Sequence, residues 1–167
     1  MKKLLLAIAI VFSAGSLLAQ SKVAHVNSQT LLDSLPSRQV AIQKLQEFEK
    51  NGITELQEME ADLNDALAKY ERDRPNMSPV IIKIEEEKLM KKQQALQERE
   101  QSLNAEMQAY SNELNQPILD MVQKAVKVVS ERKKLNYVID ESVTLYFAGG
   151  TDITQEVLTE LLKMDAQ

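Results

Sequence analysis

The chain has no cysteine, no tryptophan and a single histidine, and only four glycines, four prolines, three phenylalanines and four tyrosines stand among its 167 residues. Without cysteine there is no disulfide, no thiolate metal site and no thiol nucleophile. So few large rings argue against a compact core of ordinary size, so burial is expected along a seam, plus one small core. Basic charge is also in deficit. The formal net charge is −5, and removing Lys2 and Lys3 with a leader would make it more negative, which argues against nucleic acid as a partner. Long apolar runs are missing: Leu4 to Phe12 falls short of the roughly 20 residues that span a bilayer. No Gly-x-x-x-x-Gly-Lys-Ser/Thr loop occurs, which excludes nucleotide hydrolysis by that route. His25 stands on an expected strand with no partner constellation and reads as structural. Glu85-Glu86-Glu87 and Glu98/Glu100 read as a solvated helix face, and Asp140-Glu141 as a turn. No catalytic, cofactor-binding or metal residue is assigned, and the chain is not read as an enzyme.

What is present begins with a leader. Lys2-Lys3, the apolar run and the small residues up to Ala19 have the layout of a secretory signal peptide, with cleavage expected after Ala19 and an exported address. Residues 1–19 are therefore set apart. Further on, Ile82, Leu89, Leu96, Leu103 and Tyr110 recur every seven residues, and almost everything between them is polar. Such a row keeps one narrow helix seam against a partner helix. A second row runs through Ile42, Leu56, Leu63 and Tyr70, with Leu45, Met59 and Ala66 beside it. Arg72 to Pro79 separates the two rows with breakers, so 37–116 is expected to be a helical-hairpin arm with its tip near 72–79. A helix is expected from near Arg38, capped by Ser37, and a return helix from Pro79, capped by Ser78. Gly52 lies mid-helix, either as a close-packing site or as a flexible point. Pro117 marks a kink or a new helix. Companion positions Glu86, Gln93 and Glu100 make the seam lean. Ile53, Leu67, Ile81, Ile84 and Met90 lie off the main row and Met77 at the tip, so these six are the candidate residues for contact with a guest.

After Pro117 the apolar pattern widens through Ile118, Leu119, Met121, Val122, Ala125, Val126, Val128 and Val129, as on entering a buried body. Lys22 to Val26, Leu135 to Asp140 and Val143 to Ala148 read as short strands, and Thr151 and Asp152 as caps for a last helix carrying Val157, Leu158, Leu161 and Leu162. Segments 20–36 and 117–167 thus form a β-containing body whose residues include Val23, Val26, Val138, Ile139, Leu145 and Phe147. Three short strands make a meagre core for one copy, and oligomerisation is the usual remedy. The expected class is α+β, mostly helical, with a small oligomeric β body and long coiled-coil-like arms.

Lys22-Val23-Ala24-His25-Val26-Asn27, Tyr137-Val138-Ile139-Asp140-Glu141-Ser142 with Val143-Thr144-Leu145-Tyr146-Phe147-Ala148-Gly149-Gly150, and Asp152-Ile153-Thr154-Gln155-Glu156-Val157-Leu158 bracket the arm. With them the mature chain resembles the Skp/OmpH family of periplasmic chaperones for outer-membrane proteins. The resemblance implies a jellyfish-like homotrimer. Its strands would join in a central body, and its helical arms would hold unfolded outer-membrane proteins in a cavity without ATP and without a cofactor. It also implies proximity to a membrane surface. Lipopolysaccharide binding is not carried over, because Glu residues offset Lys83, Lys88, Lys91, Lys92 and Arg99 in the arms. The alternative is a scaffolding coiled coil of the cell envelope, which would need two apolar positions per heptad over many heptads.

Overall fold

The structure is a computed structural model that describes residues 22–166; the leader expected at 1–19 lies outside the described residues. The chain divides into two compact units. One, the body, is built from its two ends, through Leu35 and from Leu119 onward; the other, the hairpin, is Pro36–Ile118.

In the body, strand β1 (Val23–Val26) lies between β2 (Tyr137–Asp140) and β3 (Thr151–Asp152), and both pairings are parallel. Alternation along β1 sends Ala24 and Val26 into the core. Helix α1 (Ser28–Asp33) follows at once, and the Asn27 side chain caps it by accepting from Thr30 N at 2.9 Å. Leu31, Leu35, Ala125, Val129, Ile153, Val157 and Leu161 complete the core, which the C-terminal helix α4 (Thr154–Asp165) helps to close by packing on α1.

Two of the expected elements differ. Val143 to Ala148 forms no strand. Glu141–Val143 is a 3-10 turn, and Val143, Leu145 and Tyr146 are strongly exposed, Leu145 at 105%. β-branched and aromatic residues favour strands by packing against neighbours, and among the described residues no strand lies beside this segment. The third strand is Thr151–Asp152, read in the sequence as helix caps. The chain swings back to β1 through Gly149 and Gly150, at φ +129° and +100°, values that favour glycine.

The hairpin pairs α2 (Pro36–Asp73, 38 residues) with α3, which begins at Pro79 and continues to Lys133, past the end of this unit. At 1.5 Å per residue α2 is about 57 Å long. Pro36 is itself the first residue of α2, where its missing N–H is no loss, so the helix starts two residues ahead of the expected Arg38. At the tip, a 3-10 turn (Arg74–Asn76) leads to Ser78, whose hydroxyl accepts from Ile81 N at 3.4 Å ahead of Pro79. The helix runs through Pro117 without ending. It stops at Lys134, which takes the left-handed conformation (φ +54°) while Leu135 N donates to Ser130 O at 2.9 Å.

Candidate functional site

Antiparallel register in the hairpin is legible from side-chain pairs. Phe48 and Tyr110 rings lie 5.1 Å apart, Gly52 meets Leu103, and Arg99 donates to Glu55 at 2.9 Å. Lys92 pairs with Asp62, and Tyr70 donates to Glu86 at 2.5 Å. Partners on α3 fall from 110 to 86 as those on α2 climb from 48 to 70. Gly52 proves to be a close-packing site: it is buried, and a Cβ added there would collide with the Leu103 side chain. The return row Ile82, Leu89, Leu96, Leu103 and Tyr110 is at least half covered throughout, but Ile42 of the upstream row is exposed. The half-covered companions are Glu85, Lys92 and Arg99, one position before the Glu86, Gln93 and Glu100 expected. Their stems cover the seam while their charged ends stay in water. Arg99 also reaches Glu106 at 3.1 Å. The Ser102 hydroxyl and then Arg99 hold the Glu106 carboxyl below its usual value, against the opposing effect of burial.

Outside the seam stand the candidate contact residues. Ile53, Leu67, Ile81, Ile84 and Met90 are all exposed, Met90 at 67%. A helix advances about 100° per residue, so Ile81 and Ile84 share a face while Met90 lies opposite Ile81. Val80, 68% exposed, joins the isoleucines and was missed; its spacing four before Ile84 was the available signal. Met77 is half-buried beside a hollow of about 260 Å³ near the tip, lined also by Ala66, Tyr70, Leu89, Lys88 and Lys92. There Arg74 lies over the Tyr70 ring at 5.8 Å, and the bond to Glu86 raises the Tyr70 phenol above its ordinary value.

In the body, the open face of the sheet carries Val23, His25, Tyr137 and Ile139, aligned by register. With Leu145 and Phe147 this leaves an apolar surface that the described residues do not cover. Val26 belongs to the chain's own core, and Val138 is half-buried. Tyr137 and Tyr146, both largely exposed, extend the surface and had not been singled out. His25 donates from Nδ1 to Glu141 Oε1 at 2.6 Å and lies against Phe147, ring centroids 4.8 Å apart. Among the described residues no helix is long and apolar enough to cross a membrane.

Comparison with known proteins gives this arrangement a context. The model of the OmpH-like outer membrane protein family matches residues 22–161. The chain is 33% identical over 165 residues to the chaperone protein Skp of Photorhabdus laumondii, covering 96% of this chain and 99% of that one. It is 29% identical over 152 residues to the Skp chaperone of Pectobacterium atrosepticum, covering 91% and 92%. An OmpH-like crystal structure from Caulobacter crescentus superimposes with a TM-score of 0.75 over 87% of this chain and 86% of the other, at 16% identity, which speaks for the fold. The chain belongs to the OmpH-like (Skp) family, a family of chaperones and not of enzymes.

Proposed function

We propose that this protein is a periplasmic, ATP-independent holding chaperone for unfolded outer-membrane proteins, acting as a homotrimer. The observation that carries the reading is the hairpin surface. Val80, Ile81 and Ile84 form an exposed apolar patch, Ile53, Leu67 and Met90 stand apart from it, and charged residues surround them all. A two-helix hairpin has too little interior to bury such residues, and scattered apolar contacts suit clients of many sequences. Transmembrane barrel strands are short and alternate in polarity, so many weak contacts hold them where one deep pocket would not. The scaffold alternative is disfavoured by Glu85, Lys92 and Arg99 at inner positions, where a rigid rod would place apolar residues. For the trimer, the open face with Val23, Tyr137, Ile139, Leu145 and Phe147 offers the surface that a second copy would cover. Membrane-surface proximity belongs to the same reading; lipopolysaccharide binding does not, given the acidic chain.

The test is dilution of a urea-unfolded outer-membrane barrel protein into buffer with the purified chaperone in trimer excess, followed by light scattering. Suppressed scattering without nucleotide is the expected result, weakened when Val80, Ile81 and Ile84 are replaced together by serine. Scattering unchanged by the wild-type protein would overturn the reading.

A further inference from the structure

Three side chains that lie far apart in the sequence converge on the open face of the sheet. His25 is opposite Ile139 on one side and Asp152 on the other in the parallel register. Residues in register on adjacent strands share a face, and side chains alternate along a strand. Asp152 therefore falls on the His25 face by register, and Glu141, two residues beyond Ile139, by parity. The side chains agree: nitrogen and carboxylate oxygen atoms of His25, Glu141 and Asp152 all lie within 4.8 Å of one another.

Each of the three is held. Glu141 Oε2 accepts from Asn27 Nδ2 at 3.0 Å, leaving Oε1 toward His25. Asp152 Oδ1 accepts from Thr154 N at 2.8 Å and from Thr154 Oγ1 at 2.6 Å. The imidazole lies between Phe147 and Gly150, where a Cβ would come within 3.3 Å of His25 Cδ2. Oriented carboxylates and a pinned imidazole are the outer support that metal ligands require. No lysine or arginine among the described residues pairs with Glu141 or Asp152.

We propose that His25, Glu141 and Asp152 form a binding site for a borderline divalent transition ion, with Zn²⁺ as the fitting member. One imidazole and two carboxylates suit such an ion. With neutral imidazole as ligand, the two carboxylates balance its charge. Bonds of about 2.0–2.2 Å put neighbouring ligand atoms roughly 3.3 Å apart. The His25–Glu141 pair therefore opens slightly and Asp152 closes in, movements within the reach of side-chain rotation. For Nδ1 to ligate the ion as neutral imidazole, the ring proton on Nδ1 passes through water to Nε2, and water completes the coordination. Bound there, it ties β1 to both ends of the segment that carries Leu145, Tyr146 and Phe147.

The experiment uses tag-free, chelator-stripped protein titrated with Zn²⁺ by calorimetry, alongside nitrogen-15 NMR of the imidazole. His25 is the only histidine in the chain, so its signal is unambiguous. One Zn²⁺ per chain with a displaced His25 resonance is expected. H25Q and the near-isosteric E141Q should each lose at least about tenfold in affinity, with circular dichroism confirming that they fold. Zn²⁺ uptake that leaves the His25 signal unmoved, uptake equal in H25Q and wild type, or no binding below millimolar Zn²⁺ would each overturn the site.

Discussion

In the body, Leu31, Leu35, Val129, Ile153, Val157 and Leu161 are fully enclosed, and hydrogen bonds such as Asn27 N to Thr154 Oγ1 at 3.0 Å join residues more than a hundred positions apart. Along the hairpin, full burial thins to Ala41, Gly52, Leu103 and Ile118. What holds the two helices together there is one seam, where a largely half-covered apolar row of each helix meets the other, with one glycine contact and a series of exposed ion pairs. Apolar burial contributes far more than exposed ion pairs, which add about 0–1 kcal/mol each. The body is thus specified by its interior and the hairpin by a single line of contacts, which leaves the hairpin's outer apolar residues free for other work.

That contrast can be broken in graded ways. Leu161→Ala in the body core should cost the most, about 2–5 kcal/mol, read as a lowered urea midpoint. A cost under about 1 kcal/mol would mean that the body is not held by its interior. Next comes Gly52→Val, which overpacks the contact with Leu103 and should cost about 1–3 kcal/mol. Hydrogen exchange should quicken across the hairpin and leave the slow amides of the body unchanged, and a second change, Leu103→Ala, should restore part of the loss. If the body amides quicken equally, the two units melt as one and the contrast fails.

Acid should reach the body through its carboxylates. Burial pushes Asp140 upward, but hydrogen bonds from Ser28 and Ser142 outweigh it and leave its carboxyl below the ordinary value; the Thr154 bonds lower Asp152 likewise. A depressed folded value stabilises the native state above the unfolded carboxylate range, near about pH 4, and that stability is lost as pH falls through the lower folded values. Melting temperature should therefore drop below about pH 4, and Asp152→Asn should flatten that limb. An unchanged acid limb in the variant would remove Asp152 from the account. Smallest of all, Asp62→Asn removes the charge from the exposed pair with Lys92 and leaves the Lys92 stem on the seam; it should change stability by less than about 1 kcal/mol, an effect that 1 M salt erases.

Much of the hairpin was legible beforehand, because a seven-residue row between two breakers admits few other readings. The return row and the Ser78-Pro79 start appear in the structure where the spacing put them. Gly52 was ambiguous because only its partner across the hairpin, Leu103, decides between packing and flexibility. The companion positions were off by one residue, since a polar companion leaves no apolar mark to fix the helix phase. The body was less legible. Val143 to Ala148 has strand-forming residues, but strand formation depends on a neighbour that the described residues do not supply. The grouping of His25, Glu141 and Asp152 was hidden for a different reason: it depends on parallel register between three distant segments, and nothing in a linear sequence states that register.

The central place of β1 has a bearing on how the molecule is made. Its two neighbours lie at 137–140 and 151–152, so the strand synthesised first stays without company until more than a hundred further residues have been added. The helices between can coil through contacts close in sequence, which form quickly, whereas pairing across such distances is slow. A chain cut short between Ile118 and the start of β2 would own a finished hairpin and no sheet, so the C-terminal segment is itself a condition for assembling the body.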